Sequence, residues 1–309
     1  MKKKFEQIVP FIGLLILLIL FSLIIGGKFW KTNNLLAIFN QTVLIMIGGL
    51  GMIFVVAQGS VDISQGSTLA LVATLTGIVV NNYGLLAIIP TVLLVGGLVG
   101  LINGVVVSKF KVSSLTCTLG LLIAIRALVA VLCQGTVIYI PFELFAFSNF
   151  NILFPTFIGL IIIIAYFFEY TKMGYYSKII GANEVKAQYS GVPVGKMKIL
   201  AFIMSGIMAG VAGVFTLSRI GGVDPGMGNF FELQVLLALF AGGIPVTGGT
   251  SSKIYKLFIG SLIVGILENG LTLANVSGVL AEGIKGIVLI MVVFITMYHT
   301  NSQMREKTI

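Results

Sequence analysis

Apolar residues in this chain come in long blocks separated by short polar stretches. A membrane span needs about 20 predominantly apolar residues. Runs of that kind cover 8–26, 35–57, 67–82, 85–107, 115–134, 152–170, 199–219, 231–246, 257–275 and 280–298, of which 67–82 and 231–246 are short. The pattern predicts an all-α, polytopic transmembrane helical bundle of about ten spans, forming a single transmembrane domain over residues 1–309. Met1-Lys2-Lys3-Lys4 before the run from Ile8 to Ile25 has the look of a signal peptide. The apolar part is too long for one and no small-x-small cleavage site follows, so it reads as a retained first helix.

One polar stretch is too long and too structured for a simple turn. Residues 171–198 read TKMGYYSKIIGANEVKAQYSGVPVGKMK, with five lysines and one glutamate. Asn183 is placed as an N-cap, with Glu184 favourable at the positive end of the helix dipole. Val185, Gln188 and Tyr189 fall on neighbouring turns, and Gly191 then Pro193 stop the helix. A two-turn helix is marginal alone and becomes rigid when bound in a groove. The segment is therefore expected to dock something in water.

Composition supports the membrane reading. Of 309 residues, 58% are apolar and 9% charged, against roughly a quarter charged in a soluble domain. The net charge of +9 suggests nucleic acid at first sight. The lysines, however, sit in short connections rather than along one face, so retention on the cytoplasmic side accounts for them and no nucleic-acid partner is expected. With the N-terminus inside, the inner loops hold Lys109, Lys111, the five lysines of 171–198, Lys253, Lys256, Arg305 and Lys307. The outer stretch 135–151 has no Lys or Arg, while Lys28 and Lys31 run against the scheme. Both termini are expected in the cytoplasm. Cys117 and Cys133 suit neither a metal pair nor a bridge within one helix and read as small core residues.

Glycine is dense within the spans. Gly96, Gly100 and Gly104 repeat at four-residue spacing, as do Gly206 and Gly210, which lets helix backbones approach closely. Two glycine-rich stretches, Gln58–Ser67 and Gly242–Ser252, instead interrupt apolar sequence at seven-residue glycine spacing. Such interruptions point to a transporter's working region; the rival reading is a pair of cytoplasmic turns.

Several chemistries lack their motifs. Gly191-Val-Pro-Val-Gly195-Lys196 has one residue too few between its glycines for a Walker A loop, and Met197 stands where Ser or Thr would hold magnesium. The chain is not expected to hydrolyse ATP. His299 is the single histidine, which leaves a Ser-His protease or a histidine metal site without partners. Ionisable groups within spans are functional candidates. Asp62 and Glu232, beside glycine-rich sequence, are read as lining or shaping a pathway, with helix capping as the rival, and Ser64 joins them. Arg126 and Lys285 read as structural pairs or snorkelling cations. Asn103 and Asn269 are candidates to hydrogen-bond a polyol, although buried asparagines more often join helices. No membrane carboxylate chain like a proton relay stands out. Neutral polar groups suit an uncharged polar solute better than an ion.

The residues resemble the membrane permease subunits of ribose/xylose/galactose-type ABC importers over nearly the whole chain. Four pieces carry the likeness. They are Val61-Asp-Ile-Ser-Gln-Gly-Ser67; Gly100-Leu-Ile-Asn-Gly104 with Val112 to Gly120 and Arg126; Gly174 through Lys198; and Phe231-Glu-Leu233 with Gly242-Gly243 and Gly248-Gly249. The resemblance implies a second permease copy, identical or homologous, with the solute path at or beside the subunit interface. It implies cytoplasmic ATPase subunits that bind ATP and magnesium, an extracytoplasmic solute-binding protein, and a bacterial plasma membrane. It makes Asn183 to Val194 a coupling helix in an ATPase groove, with Gly181, Asn183, Glu184, Ala187, Gly191 and Val194 as its coupling residues. The sequence departs from the family pattern at Gln234, where Asp is usual, at Val235–Leu237, at Ser251-Ser252, and at Glu268, a site usually uncharged. The substrate expected is a small polar solute of the monosaccharide type, such as ribose. Importers of nucleosides or of a sugar-like signal are the alternative, and a stand-alone secondary transporter or channel is a further one.

Overall fold

The computed structural model of the chain describes the backbone of residues 2–306 and the side chains of 8–294, 296 and 297. The side chains of the N-terminal lysines, His299 and Arg305, and the whole of Lys307, fall outside the described residues. The chain is almost entirely helical. In order it forms α1 (Lys2–Ile25), α2 (Thr32–Ala57), α3 (Gln65–Tyr83), α4 (Leu85–Lys109), α5 (Ser114–Cys133), α6 (Phe150–Tyr170), α7 (Lys172–Ala182), α8 (Glu184–Tyr189), α9 (Val194–Ile220), α10 (Phe231–Ala241), α11 (Ile254–Leu273) and α12 (Gly278–Glu306). Among the described residues, seven helices are long and apolar enough to cross a membrane: α1, α2, α4, α5, α6, α9 and α11. The only β-structure among them is a two-residue antiparallel pair, β1 (Ile138–Tyr139) with β2 (Gly222–Val223).

The core is built around α2 and α9. Every residue of α2 from Ile45 to Ala57 is buried, so this helix is surrounded by protein on all sides. On α4, a Cβ at Gly96 would sit 2.6 Å from the Gly206 carbonyl of α9, and one at Gly104 would meet the Ile199 Cα at 2.6 Å. The four-residue glycine repeat is thus a seam on which two helix backbones lie in contact. Within α4 the stretch Val92–Gly96 winds as a π-helix. Pro90, in the turn before it, lacks the N–H that would continue the ladder, and the register slips there.

Two of the expected spans differ from their runs. The 231–246 run forms only the 11 residues of α10, about 17 Å at 1.5 Å per residue. It ends where Gly243 takes φ +87°, a left-handed conformation that glycine adopts without strain. Gly242 and Gly260 pack it against the first turns of α11, at the carbonyls of Lys256 and Ala238. α3 begins at mid-depth: Gln65 Nε2 donates to the Gly48 carbonyl of α2 at 3.0 Å, nine residues and about 14 Å back from Ala57. Residues 58–64 therefore climb through the protein interior, which favours the working-region reading of this interruption over a turn in water.

The lysine-bearing connections gather at one end. Ala57, the start of α9 and the start of α11 all meet α7 and α8 there, while Asn81 Nδ2 donates to the Tyr139 carbonyl (3.0 Å) at the opposite end. These are called below the α8 end and the far end.

Candidate functional site

The first interruption is a polar knot held by several buried hydrogen bonds. Asp62 is 2% exposed and Ser64 0%. Asp62 Oδ1 accepts from the Ser64 N–H (3.0 Å) and hydroxyl (2.6 Å), and Oδ2 accepts from the Ser205 hydroxyl of α9 (2.7 Å). Asn103 of α4 donates to Ser64 Oγ at 2.8 Å, and the Cys117 thiol of α5 donates to Asn103 Oδ1 at 3.5 Å. Two of the freed backbone N–H groups are satisfied by α5. Val61 N–H donates to Ser114 Oγ (3.2 Å) and Ile63 N–H to Thr118 Oγ1 (3.1 Å), both on α5. Buried N–H groups outside a helix need such acceptors. Asp62, Ser64 and Asn103 are thus brought together by the structure, and they join four parts of the bundle.

Above this knot the N-termini of α3 and α10 converge. Gly66 lies against Glu232 and the Gly228 carbonyl, with no room for a Cβ, and Arg126 Nη2 would be 3.4 Å from one. Phe230 enters α10 with φ +60° and Glu232 occupies its first turn, where a carboxylate complements the positive end of the dipole. Arg126 donates to the Met227 carbonyl. Glu232 is buried and its Oε2 accepts no hydrogen bond among the described residues. Asn269 is also buried, and its Oδ1 likewise has no partner among them.

Toward the far end from this convergence lies a cavity of about 160 Å³. Its polar lining comes from Gln41, Thr216, Arg219, Asn229, Gln234 and Glu268, and its apolar lining includes Leu69 and Phe231. Gln234 Nε2 donates to Glu268 Oε2 at 3.3 Å. Two positions at which the sequence departs from the family pattern therefore face each other. Gln41, Thr216, Arg219 and Asn229 were not singled out by sequence reasoning. Arg219, next to the end of its helix, has the look of an ordinary interfacial cation. The glycine-rich stretch 221–228, however, carries the same signature as the two interruptions that were noticed.

At the α8 end the 171–198 segment folds as α7 and α8. Asn183 Oδ1 accepts from the Lys186 N–H at 2.8 Å, so it is the N-cap of α8. Gly191 takes φ +79° and Val192 N–H returns to the Ala187 carbonyl at 3.1 Å, which closes the helix. Ala187, Ile180 and Val192 form a small core of their own, with Val194 and Met197 against it. Val185 and Tyr189 point away from this core, 62% and 90% exposed. Glu184 pairs with Lys198 at 2.7 Å.

This unit is pinned to the bundle at two places. Gly181 packs on the Ala57 carbonyl at the end of α2, and that carbonyl accepts the Gly249 N–H at 2.9 Å. One carbonyl thus gathers α2, α7 and the second interruption. Glu169, which sequence reasoning passed over, holds the other place. It pairs with Lys178 (2.6 Å) and Lys253 (3.2 Å) and caps α11 through the Ile254 N–H (3.1 Å). A lone acid at the end of an apolar span beside a lysine-rich segment was the available signal. Among the described residues no group of three or more His, Cys, Asp or Glu gathers as a metal site.

Residues 34–293 match the family described as branched-chain amino acid transport system / permease component. The ribose import permease of Haemophilus influenzae is 33% identical over 299 residues, covering 93% of this chain and 92% of the relative. The chain belongs to the ABC importer permeases. The ribose import permease of Bacillus subtilis is 31% identical, covering 94% of this chain and 92% of that one. The D-allose transport system permease of Escherichia coli is 31% identical over 278 residues, covering 86% and 84%. No solved structure matches the chain significantly. The chain is a multi-pass membrane permease and not an enzyme; ATP hydrolysis lies on a separate subunit.

Proposed function

We propose that this permease imports a small, neutral polar solute of the monosaccharide class, with ribose the first candidate. The observation that carries the reading is α8. It is a capped, separately cored helix that presents Val185 and Tyr189 to water at the lysine-rich end. Such a face fits a groove on an ATPase. The lysine distribution supports a cytoplasmic α8 end, both termini cytoplasmic, and ten crossings once α3, α10 and α12 are counted with the seven long spans. A second permease copy completes the path, a solute-binding protein delivers at the far end, and ATP with magnesium binds the ATPase pair. Closure of that pair moves 183–194, with Gly181, Asn183, Glu184, Ala187, Gly191 and Val194 shaping the docked unit. The Ala57 and Glu169 junctions pass the movement to α2 and α11, which switches access. Asp62, Ser64 and Asn103 shape the pathway by holding α3 at mid-depth. Glu232 and Asn269 lie buried beside it.

Vesicles containing the chain, its ATPase and its solute-binding protein should accumulate labelled ribose only with ATP present. The chain alone should hydrolyse no ATP, and deletion of residues 183–194 should abolish uptake while membrane insertion persists. Full-rate uptake by the chain alone overturns the reading.

A further inference from the structure

We propose that the 160 Å³ cavity between α2, α9, α10 and α11 is where each single subunit holds its solute in transit. It is built for a neutral, hydroxyl-rich molecule the size of one sugar ring. The proposal rests on the import function above and adds the site, its residues and their selectivity.

Position is the first argument. Arg219 and Asn229 are exposed at the far end, so the cavity opens on the side opposite α8. In the other direction lies the packed interior, where α2 is buried from Ile45 to Ala57 and Asp62 and Ser64 are buried beside it. An opening on that side is what one half of an alternating-access cycle requires.

Chemistry is the second. Arg219 and Glu268, which both line the cavity, attract each other, and among the described residues Gln41 Oε1 is buried without a donor. Thr216 donates to the Ala212 carbonyl (2.8 Å), which leaves its oxygen free to accept. Gln234 uses one amide hydrogen on Glu268. Donors and acceptors therefore stand side by side, as a hydroxyl, which is both, requires. The fixed charges cancel. Glu268 accepts from Lys285 (2.6 Å) and Lys285 also donates to Glu282 (2.6 Å), so two cations, Arg219 and Lys285, face two carboxylates. The chamber therefore favours neither anions nor cations. Leu69 and Phe231 supply an apolar wall for the CH face of a ring. The volume admits roughly ten water-sized groups, the scale of one ring and not of a disaccharide.

The test uses the complete transporter in vesicles carrying Thr216→Cys. Both native thiols are buried, so an impermeant maleimide added at the far end reads this position. Saturating ribose should slow labelling about tenfold or more. Arg219→Gln should raise the apparent KM for uptake by about 10- to 100-fold, the worth of a charged hydrogen bond, with kcat little changed. If the unsubstituted transporter takes up no sugar from a panel of pentoses and hexoses, the import reading fails and this one falls with it. If it takes up a sugar that gives no protection at Thr216→Cys, or if Arg219→Gln leaves KM unmoved, the cavity proposal alone is overturned.

Discussion

Two polar clusters lie within a few turns of each other along α2, and their hydrogen bonding is opposite. Around Asp62 both carboxylate oxygens, the Ser64 and Ser205 hydroxyls and the N–H groups of Val61, Ile63 and Ser64 have partners. Around Arg219 the groups are polar and face a cavity, and Gln41 Oε1 among them is buried with no donor among the described residues. Buried polar groups are costly unless bonded. A closed network accordingly holds helices together, and an open one waits for a molecule to complete it. The difference separates residues that set the frame from residues that meet solute, although both groups read alike as polar positions in an apolar sequence.

The comparison predicts opposite responses. Asp62→Ala should have the largest effect, because it strands three donors in a buried site. A loss of about 3–5 kcal/mol is expected, seen as collapse of the monodisperse peak and of thermal stability in detergent. Asp62→Asn should recover part of it. Gly181→Ala comes next: its methyl has no room against the Ala57 carbonyl, and overpacking of this kind costs about 1–3 kcal/mol. Here the outcome is uncoupling, with ATPase turnover that no longer tracks uptake and insertion unimpaired. Gln41→Leu reverses the sign. Removing a buried acceptor that has no donor should raise the melting temperature, by the equivalent of about 1 kcal/mol, while apparent KM for solute rises. A fall in stability would show that Gln41 belongs to the frame. Glu184→Gln should do least. Its pair with Lys198 is half-exposed, and such pairs contribute about 0–1 kcal/mol, so thermal melting should not move measurably.

Much of this was legible along the chain. The apolar runs, the glycine seam of α4 on α9 and the cap of α8 at Asn183 follow from length, spacing and local hydrogen-bonding chemistry, all of which act within a few residues. The depth of the first interruption was not legible, because Gln65 reaches Gly48 and Ser205, and the second of these partners is 140 residues away. The same holds for the cavity. Gln41, Arg219 and Glu268 are ordinary residues on three separate helices, and only packing makes them neighbours. The 11-residue α10 was read as a longer span because Ile244 and Val246 extend its apolar run beyond the glycine pair that ends the helix.

The Ala57 carbonyl touches three pieces of chain that are far apart in sequence. A joint with so few atoms has almost no slack. Tilting α7 by even an ångström must drag the foot of α2 and the Gly249 loop along with it, as a crank turns two shafts through one pin. A joint of this kind passes displacement on instead of absorbing it, and the Glu169 junction is the second pin beside it.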